Sequence, residues 1–288
     1  GSEVAGRPPE ERLVRVFPRR TSHTPDDALA FVGDPPLWLP ADVSAVHVSC
    51  TFTWDRPEAE RIAEAWERQY PGRVTLSGPA YGHAGGDFTP GLYVRQGITF
   101  TSRGCPRHCC FCQVPEREGP LRLLDSIPEG HIVQDNNFLA CPPEHRRKVY
   151  AMLGRQKRAA VFAGGIDARL VTDEIADEFR AIRVSEAFLA CDSTAAIRPL
   201  YEAAWRLRFL GRRKLRCYVL LGFSGELLSQ AEKRLEAVWE AGCLPFAQLY
   251  RSPEGERQYD LDWLRLQRKW ARPAAMFASH RVEVGADA

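Results

Sequence analysis

Hydrophobic and polar positions alternate along the chain with two periods, and the switches between them mark out the elements. Ala45-Val-His-Val-Ser-Cys-Thr-Phe-Thr53 is β-branched and aromatic and predicts a strand. Pro57 to Tyr70 then turns to helical spacing, with Ala59, Ile62, Ala63, Trp66 and Tyr70 on one stripe and Pro71-Gly72 as the stop. Arg73 to Ser77 returns to strand pattern, so residues 45–77 predict a small parallel β-α-β unit. Ahead of it, Leu13-Val-Arg-Val-Phe17 alternates like a short strand. Thr24-Pro25-Asp26-Asp27 has the cap and acidic first turn of a helix start.

Beyond residue 90 the same alternation repeats. Leu92–Thr101 predicts a strand bent at Gly97, followed by a long polar loop over 103–119. Strands are predicted at 131–134, 159–163, 185–190, 215–221 and 245–250. Helices are predicted between and after them at 142–154, 172–182, 195–210, 227–241 and 261–271, with a loose tail from Ala278. Thr172 followed by Asp173 and Glu174 is a strong helix start, and Gly211 and Gly242 are helix stops. Alternating strands and helices at this spacing predict an α/β fold on a parallel sheet. Three segments follow: an extension over 1–94, the strand–helix repeat over 95–260, and a C-terminal helix and tail over 261–288.

Composition narrows the class without naming a partner. Of 288 residues 44% are hydrophobic and 26% charged, which suits a globular domain. No apolar run approaches the ~20 residues a membrane span needs, and no secretory leader is visible. Gly1-Ser2 reads as an expression scar. Nine cysteines form no disulfide framework. Cys50, Cys141, Cys191, Cys217 and Cys243 sit in or beside apolar runs and read as core. An odd count with a metal-like group of thiols points to a reducing, cytoplasmic setting. A net charge of +2 is uninformative, but two basic runs stand out. One holds Arg206, Arg208, Arg212, Arg213, Lys214 and Arg216; the other holds Arg146, Arg147, Lys148, Arg155, Lys157 and Arg158. Such runs track phosphates or form solvated helix faces.

The chemistry concentrates in Gly104-Cys-Pro-Arg-His-Cys-Cys-Phe-Cys112. Cys105, Cys109 and Cys112 stand in CxxxCxxC spacing with Phe111 before the last. Three thiolates on one loop hold three irons of a cubane and leave the fourth without a protein ligand, whereas most cubanes take four cysteines. Zinc is the bland alternative. It wants a tetrahedron, and His108 and Cys110 both neighbour Cys109, which makes closing one awkward. In parallel barrels functional groups sit at the C-terminal ends of the strands. That rule selects Asp135, Asn136, Asn137, Gly164, Gly165, Asp167, Arg169, Asp192, Ser193, Gly222, Glu226, Gln248, Tyr250 and Arg251.

The cysteine loop resembles that of the radical S-adenosylmethionine (SAM) family, and the likeness extends over roughly residues 95–255. The resemblance implies a partial parallel (β/α)6 barrel with a small N-terminal β-α-β extension. It implies a [4Fe-4S] cluster on Cys105, Cys109 and Cys112. SAM would chelate the open iron and be cleaved reductively to a 5'-deoxyadenosyl radical that acts on a substrate. By the same resemblance Asn136 or Asn137 accepts from the SAM amino group and Arg169 pairs with its carboxylate. Asp192 or Ser193 contacts the ribose, Gly222 lets adenine pack on backbone, and the Phe111 backbone lies near the adenine. A flavodoxin- or ferredoxin-like electron donor is implied. His83 and Gly86 match half of a cobalamin motif, but Tyr81 replaces its Asp, and cobalamin is not expected. No catalytic relay residue is assigned, and the substrate is open, with nucleic acid suggested only by the basic runs. Two alternatives stay open: a zinc-stabilised, non-catalytic binding module, and an enzyme that uses SAM for methyl or aminocarboxypropyl transfer.

Overall fold

The computed structural model describes residues 12–83, 88–252 and 258–284, with side chains through 280. The chain divides into two compact units, Gly1–Ile98 and Thr99–Ala288. In the first, strands β1 (Leu13–Phe17), β2 (Ala30–Val32), β3 (Ala45–Ser49) and β4 (Val74–Ser77) form a parallel sheet in the order β2-β1-β3-β4. Helix α1 (Arg56–Glu67) joins β3 to β4. Its stripe of Ala59, Ile62 and Trp66 shares a core with Val14, Val16, Val46 and Val48. The Trp66 indole donates to Gly33 O at 2.9 Å, so even this buried ring has its polar edge satisfied.

The helix expected to start at Thr24 is absent. Arg15, halfway along β1, is only 7% exposed, and a buried guanidinium needs a carboxylate. Asp27 supplies it and also accepts from Leu29 N at 3.0 Å, turning the chain into β2, a strand the sequence pattern did not reveal. His83 is exposed, and Gly86 lies outside the described residues, as do Gly1 and Ser2.

The second unit carries a six-stranded sheet in the order β12-β11-β10-β9-β8-β5. Its strands are β5 (Ile98–Thr99), β8 (Ile132–Val133), β9 (Ala160–Phe162), β10 (Val184–Ala190), β11 (Leu215–Leu221) and β12 (Leu244–Leu249). Between β5 and β8 lie β6 (Ser102–Arg103), α2 (Val114–Glu118) and β7 (Arg122–Leu123), where β6 and β7 pair antiparallel. The later strands are joined by α3 (Pro143–Arg155), α4 (Asp173–Arg180), α5 (Ile197–Arg206) and α6 (Leu228–Glu240), and followed by α7 (Leu261–Ala271) and α8 (Pro273–Val284). Strands β8 to β12 are parallel to their neighbours, so consecutive strands are adjacent, with one helix per crossover from β8 on. Among the described residues no helix is long and apolar enough to cross a membrane.

In this unit most elements fall near where periodicity puts them; α2 lies within the stretch expected as a loop, and three further differences have physical reasons. The strand expected over 92–101 shrinks to Ile98–Thr99, because Thr101 and Ser102 turn away to hydrogen-bond Asp135. The helix expected over 195–210 is α5 plus a tight turn at Arg208–Leu210. The loose tail expected from Ala278 is the end of α8 instead. His280 stacks on Trp239 of α6 at 4.0 Å, and Met276 is fully buried. Residues 285–288 lie outside the described residues.

Strand β11 shows how the sheet is used. Leu215, Cys217, Val219 and Leu221 are at most 1% exposed and join the main core. Arg216, Tyr218 and Leu220 point to the other face and are only partly covered. There Tyr218 stacks on Phe188 at 4.6 Å and donates to Ala163 O at 2.9 Å. At the C-terminal edge Arg234 of α6 ties the strand ends together. It is 2% exposed and donates to Cys191 O (2.5 Å), Leu220 O (2.6 Å) and the Glu226 carboxylate (2.5 Å). Glu226 in turn accepts from Gly222 N at 2.8 Å. Removing one partner of a buried ion pair strands the other. Arg234→Ala is therefore expected to lower unfolding free energy by roughly 3–5 kcal/mol. Equilibrium urea denaturation checks this, and a loss under about 1 kcal/mol, the size of an ordinary surface change, would show the staple to be redundant.

Candidate metal centre

The cysteine loop begins at a neck that only glycine can make. Gly104 has φ +74°, and a Cβ there would lie 2.1 Å from Pro120 O and 2.6 Å from Gly119 O. Cys105 N donates to Gly119 O at 3.2 Å. Glu118, at the end of α2, accepts from Gly104 N at 3.1 Å and from the Asn136 amide at 2.8 Å. The loop is thus closed at both ends and tied to the end of β8. Inside it Cys112 N donates to Cys109 O at 2.9 Å, a tight turn that holds the last two cysteines together. Cys105 and Cys109 are half-buried, and Cys110 and Cys112 are exposed.

The thiols of Cys105, Cys109 and Cys112 lie within electrostatic reach of one another. Burial raises the pKa of Cys109 first; Arg169 opposes the rise, and the charges of Cys105, Asp192 and Asp167 add to it. Although Cys112 is exposed as a residue, local desolvation of its thiol raises its pKa, the Val114 N–H lowers it, and Cys109, Cys105 and Asp192 raise it. Both effects favour the neutral thiols of Cys109 and Cys112. The three sulfurs do not draw within 4.8 Å of one another.

The strand ends supply the rest. Asn137 is 4% exposed; its amide nitrogen is 3.7 Å from Cys105 Sγ, and its buried Oδ1 has no hydrogen-bond partner. Asn136 is oriented by Glu118, to which its amide nitrogen donates, and that bond leaves its Oδ1 uncommitted. Of the two asparagines, Asn137 is the one with a buried, unpartnered acceptor and an amide beside Cys105. Arg169 lies near Cys109, but Asp167 already takes its fork, at 2.7 Å from Nε and 3.0 Å from Nη2. Asp167 also accepts from Arg107 of the cysteine loop at 2.9 Å. Burial alone would raise the Asp167 pKa; the Arg169 and Arg107 hydrogen bonds overcome it and hold the carboxyl below the usual range.

Asp192 accepts from Leu220 N at 2.9 Å and reaches Cys109 and Cys112 electrostatically. Burial raises its pKa, against the Leu220 N–H and Arg234. Neither Asp192 nor Ser193 caps the following turn with its side chain, so the capping role that Asp-Ser before a helix suggests is not used. Gly222 has φ +79°, and the space its Cβ would take belongs to the Tyr259 ring, 2.7 Å away. That ring's hydroxyl donates to Tyr250 O at 2.7 Å. Phe111 meets Phe223 edge-on at 5.7 Å, and Phe223 meets Tyr250 at 4.9 Å, so rings connect the cysteine loop to the ends of β11 and β12. Glu118, Phe223 and Tyr259 escaped the sequence reading. Glu118 was visible only as one polar loop residue, and nothing local marks the other two.

A second group of metal-competent atoms has another use. Asp135, Cys141 and His145 bring ligand atoms within 4.8 Å and are all buried. Yet Asp135 already accepts from Thr101 N (2.6 Å), Thr101 Oγ1 (2.6 Å) and Ser102 Oγ (2.7 Å). With the Thr101 hydroxyl donating to Asp135, His145 Nε2–H donates to Thr101 Oγ1 at 3.0 Å. The Asp135 oxygens, the Thr101 hydroxyl and His145 Nε2 are thus engaged with one another, and the cluster braces the lead-in to the cysteine loop.

In comparison with known proteins, no family model matches the chain and no curated protein matches it. The chemistry rests on the residues themselves.

Two tests follow from this geometry. Gly104→Ala forces both a left-handed φ and a backbone clash, and is expected to destabilise the chain by about 2 kcal/mol or more; an unchanged thermal midpoint would remove the neck from the account. Asp167 has a depressed folded pKa, so its stabilising contribution is present above the unfolded pKa of about 3.9 and is lost as pH falls through the folded value. The gap in unfolding free energy between the metal-free wild type and Asp167→Asn should be widest near neutral pH and shrink below about pH 4. A gap constant from neutral to acid pH would mean the ion pairs contribute nothing.

Proposed function

We propose that this chain is a radical SAM enzyme with one [4Fe-4S] cluster, and we read the six sequential strands as the partial (β/α)6 barrel of that family. The observation that carries the reading is Asn137 beside Cys105. A buried carbonyl oxygen without a partner is costly, and here it lies next to a loop of three thiols whose spacing suits a cubane with one open iron. Cys105, Cys109 and Cys112 would hold the cluster, which when bound supplies the electron for reductive SAM cleavage.

This chain's own residues bind and orient. Asn137 Oδ1 accepts from the SAM ammonium, while the Asn136 amide nitrogen ties the loop neck through Glu118. Arg169 offers its cation to the SAM carboxylate while Asp167 holds the guanidinium in place; a guanidinium has more donors than one carboxylate uses. Asp192, with Leu220 N on one oxygen, takes ribose hydroxyls, and Ser193 adds a second hydroxyl partner. Gly222 closes the strand end under Tyr259, which leaves adenine to the Phe111 main chain. The Phe111–Phe223–Tyr250 rings exclude water from that edge. A flavodoxin- or ferredoxin-like donor supplies the electron. The first unit, one helix on four short strands, is assigned no cobalamin.

The test is anaerobic iron reconstitution followed by SAM and dithionite. About four irons per chain are expected, with 5'-deoxyadenosine formed. Cys105→Ala, Cys109→Ala and Cys112→Ala should each abolish it, and Cys110→Ala should not. Asn137→Ala should raise the SAM concentration needed roughly tenfold, as the loss of one charged hydrogen bond predicts. Stoichiometric zinc in colourless protein would favour the binding module. Methyl or aminocarboxypropyl products without 5'-deoxyadenosine would favour group transfer.

A further inference from the structure

The opposite edge of the six-stranded sheet has a chemistry of its own. The strands are parallel and sequential, so the loops entering β9, β10 and β11 lie side by side there. Direct contacts show it: Arg183 donates to Gln156 O at 2.6 Å, and Arg180 lies over the Phe209 ring at 4.5 Å. Helices α3, α4 and α5 also end at this edge. Some positive charge is therefore expected, because cations offset the helix dipole. Arg155, Arg180 and Arg206 do this from the last turns, and each is paired with a carboxylate, Glu129, Asp177 and Asp173. Two other arginines of the basic runs are structural: Arg212 staples Trp239 O and Cys243 O, and Arg146 pairs with Glu178.

What remains is charge that no carboxylate offsets, although Arg183 and Arg208 also donate to the main-chain Gln156 O and Trp205 O. Lys157, Arg158, Arg183, Arg208, Arg213 and Lys214 are all exposed, and none has a carboxylate partner among the described residues. Two large rings stand among them. Trp205 is 62% exposed and Phe209 is 40% exposed. Arg208 lies 4.2 Å over Trp205. A solvated helix face has no reason to present a tryptophan to water beside unneutralised cations. Unneutralised cations with exposed rings among them are what single-stranded nucleic acid binds, through phosphates and base stacking together.

We propose that this edge, formed by the loops entering β9, β10 and β11, binds single-stranded nucleic acid. The cations contact phosphates, and Trp205 and Phe209 stack bases. The surface rests on its own charge and rings and stands whether or not the cysteine loop performs radical chemistry.

The experiment is fluorescence anisotropy of the full chain, without SAM, with a labelled oligothymidylate of ~15 nucleotides, long enough for the site sizes of sequence-neutral binders. Affinity is expected to fall about a hundredfold between about 50 and about 200 mM salt, as several phosphate contacts require. Arg158→Glu with Lys214→Glu should weaken binding at least about tenfold and flatten the salt slope. Trp205→Ala should weaken it roughly tenfold with the slope unchanged. Arg198→Glu, at the other end of α5, should change nothing. Unaltered urea midpoints would exclude misfolding, and the wild-type salt slope tests the idea even if a variant fails to fold. No binding at low salt, binding without salt dependence, or indifference to Trp205→Ala would overturn it. Equal binding to polyglutamate, or tighter binding to phosphatidylserine vesicles, would overturn it in favour of a generic polyanion or a membrane surface.

Discussion

The Asp135 carboxylate sets the position of the cysteine loop. It is 1% exposed, and burial raises its pKa. A buried carboxylate is tolerated only when its oxygens are fully hydrogen-bonded, and Thr101 and Ser102 provide those bonds. The consequence is geometric. The chain leaves β5 at Thr99, is caught at residues 101 and 102, and is delivered to the Gly104 neck in one orientation. Gly164 completes the brace from the other side, since a Cβ there would lie 2.1 Å from Asp135 O. The ends of β8 and β9 and the start of the loop are therefore one packed object.

The two edges of the parallel sheet divide the chemistry. At the C-terminal edge carboxylates, amides and thiols converge, and Arg234 holds the strand ends in register from below. At the N-terminal edge the helices finish and cations gather. Both follow from sequential parallel strands, which place all loops of one kind on one side. Each edge keeps some charges for architecture and leaves others open. Arg212, which staples Trp239 O and Cys243 O, and the exposed Arg213 divide in this way at the N-terminal edge.

Electrostatics near the cysteines is a competition for one cation. Arg169 opposes the rise in the Cys109 pKa while its fork is taken by Asp167. Asp192 pushes both Cys109 and Cys112 upward. Partly buried thiols, crowded by carboxylates and with one arginine between them, favour protons or a strongly bound metal over free thiolates.

Periodicity is local, and what depends on it was readable from the chain alone. Strand β11 and helix α7 fall on their expected residues, because alternation and helical spacing are properties of neighbouring side chains. The cysteine triplet was equally plain, since all its ligands lie within eight residues. Partners far apart in sequence were not. That Asn136 is tied to Glu118, 18 residues away, and Arg107 to Asp167, 60 away, is decided by packing. So is the filling of the Gly222 site by Tyr259, and the helix that His280 forms because Trp239 waits to stack on it. The basic runs were visible as composition, but only the fold separates the arginines that staple carbonyls from those that face solvent. The reason is the same throughout: local pattern sets which face of an element is apolar, and the sheet order sets which polar groups meet.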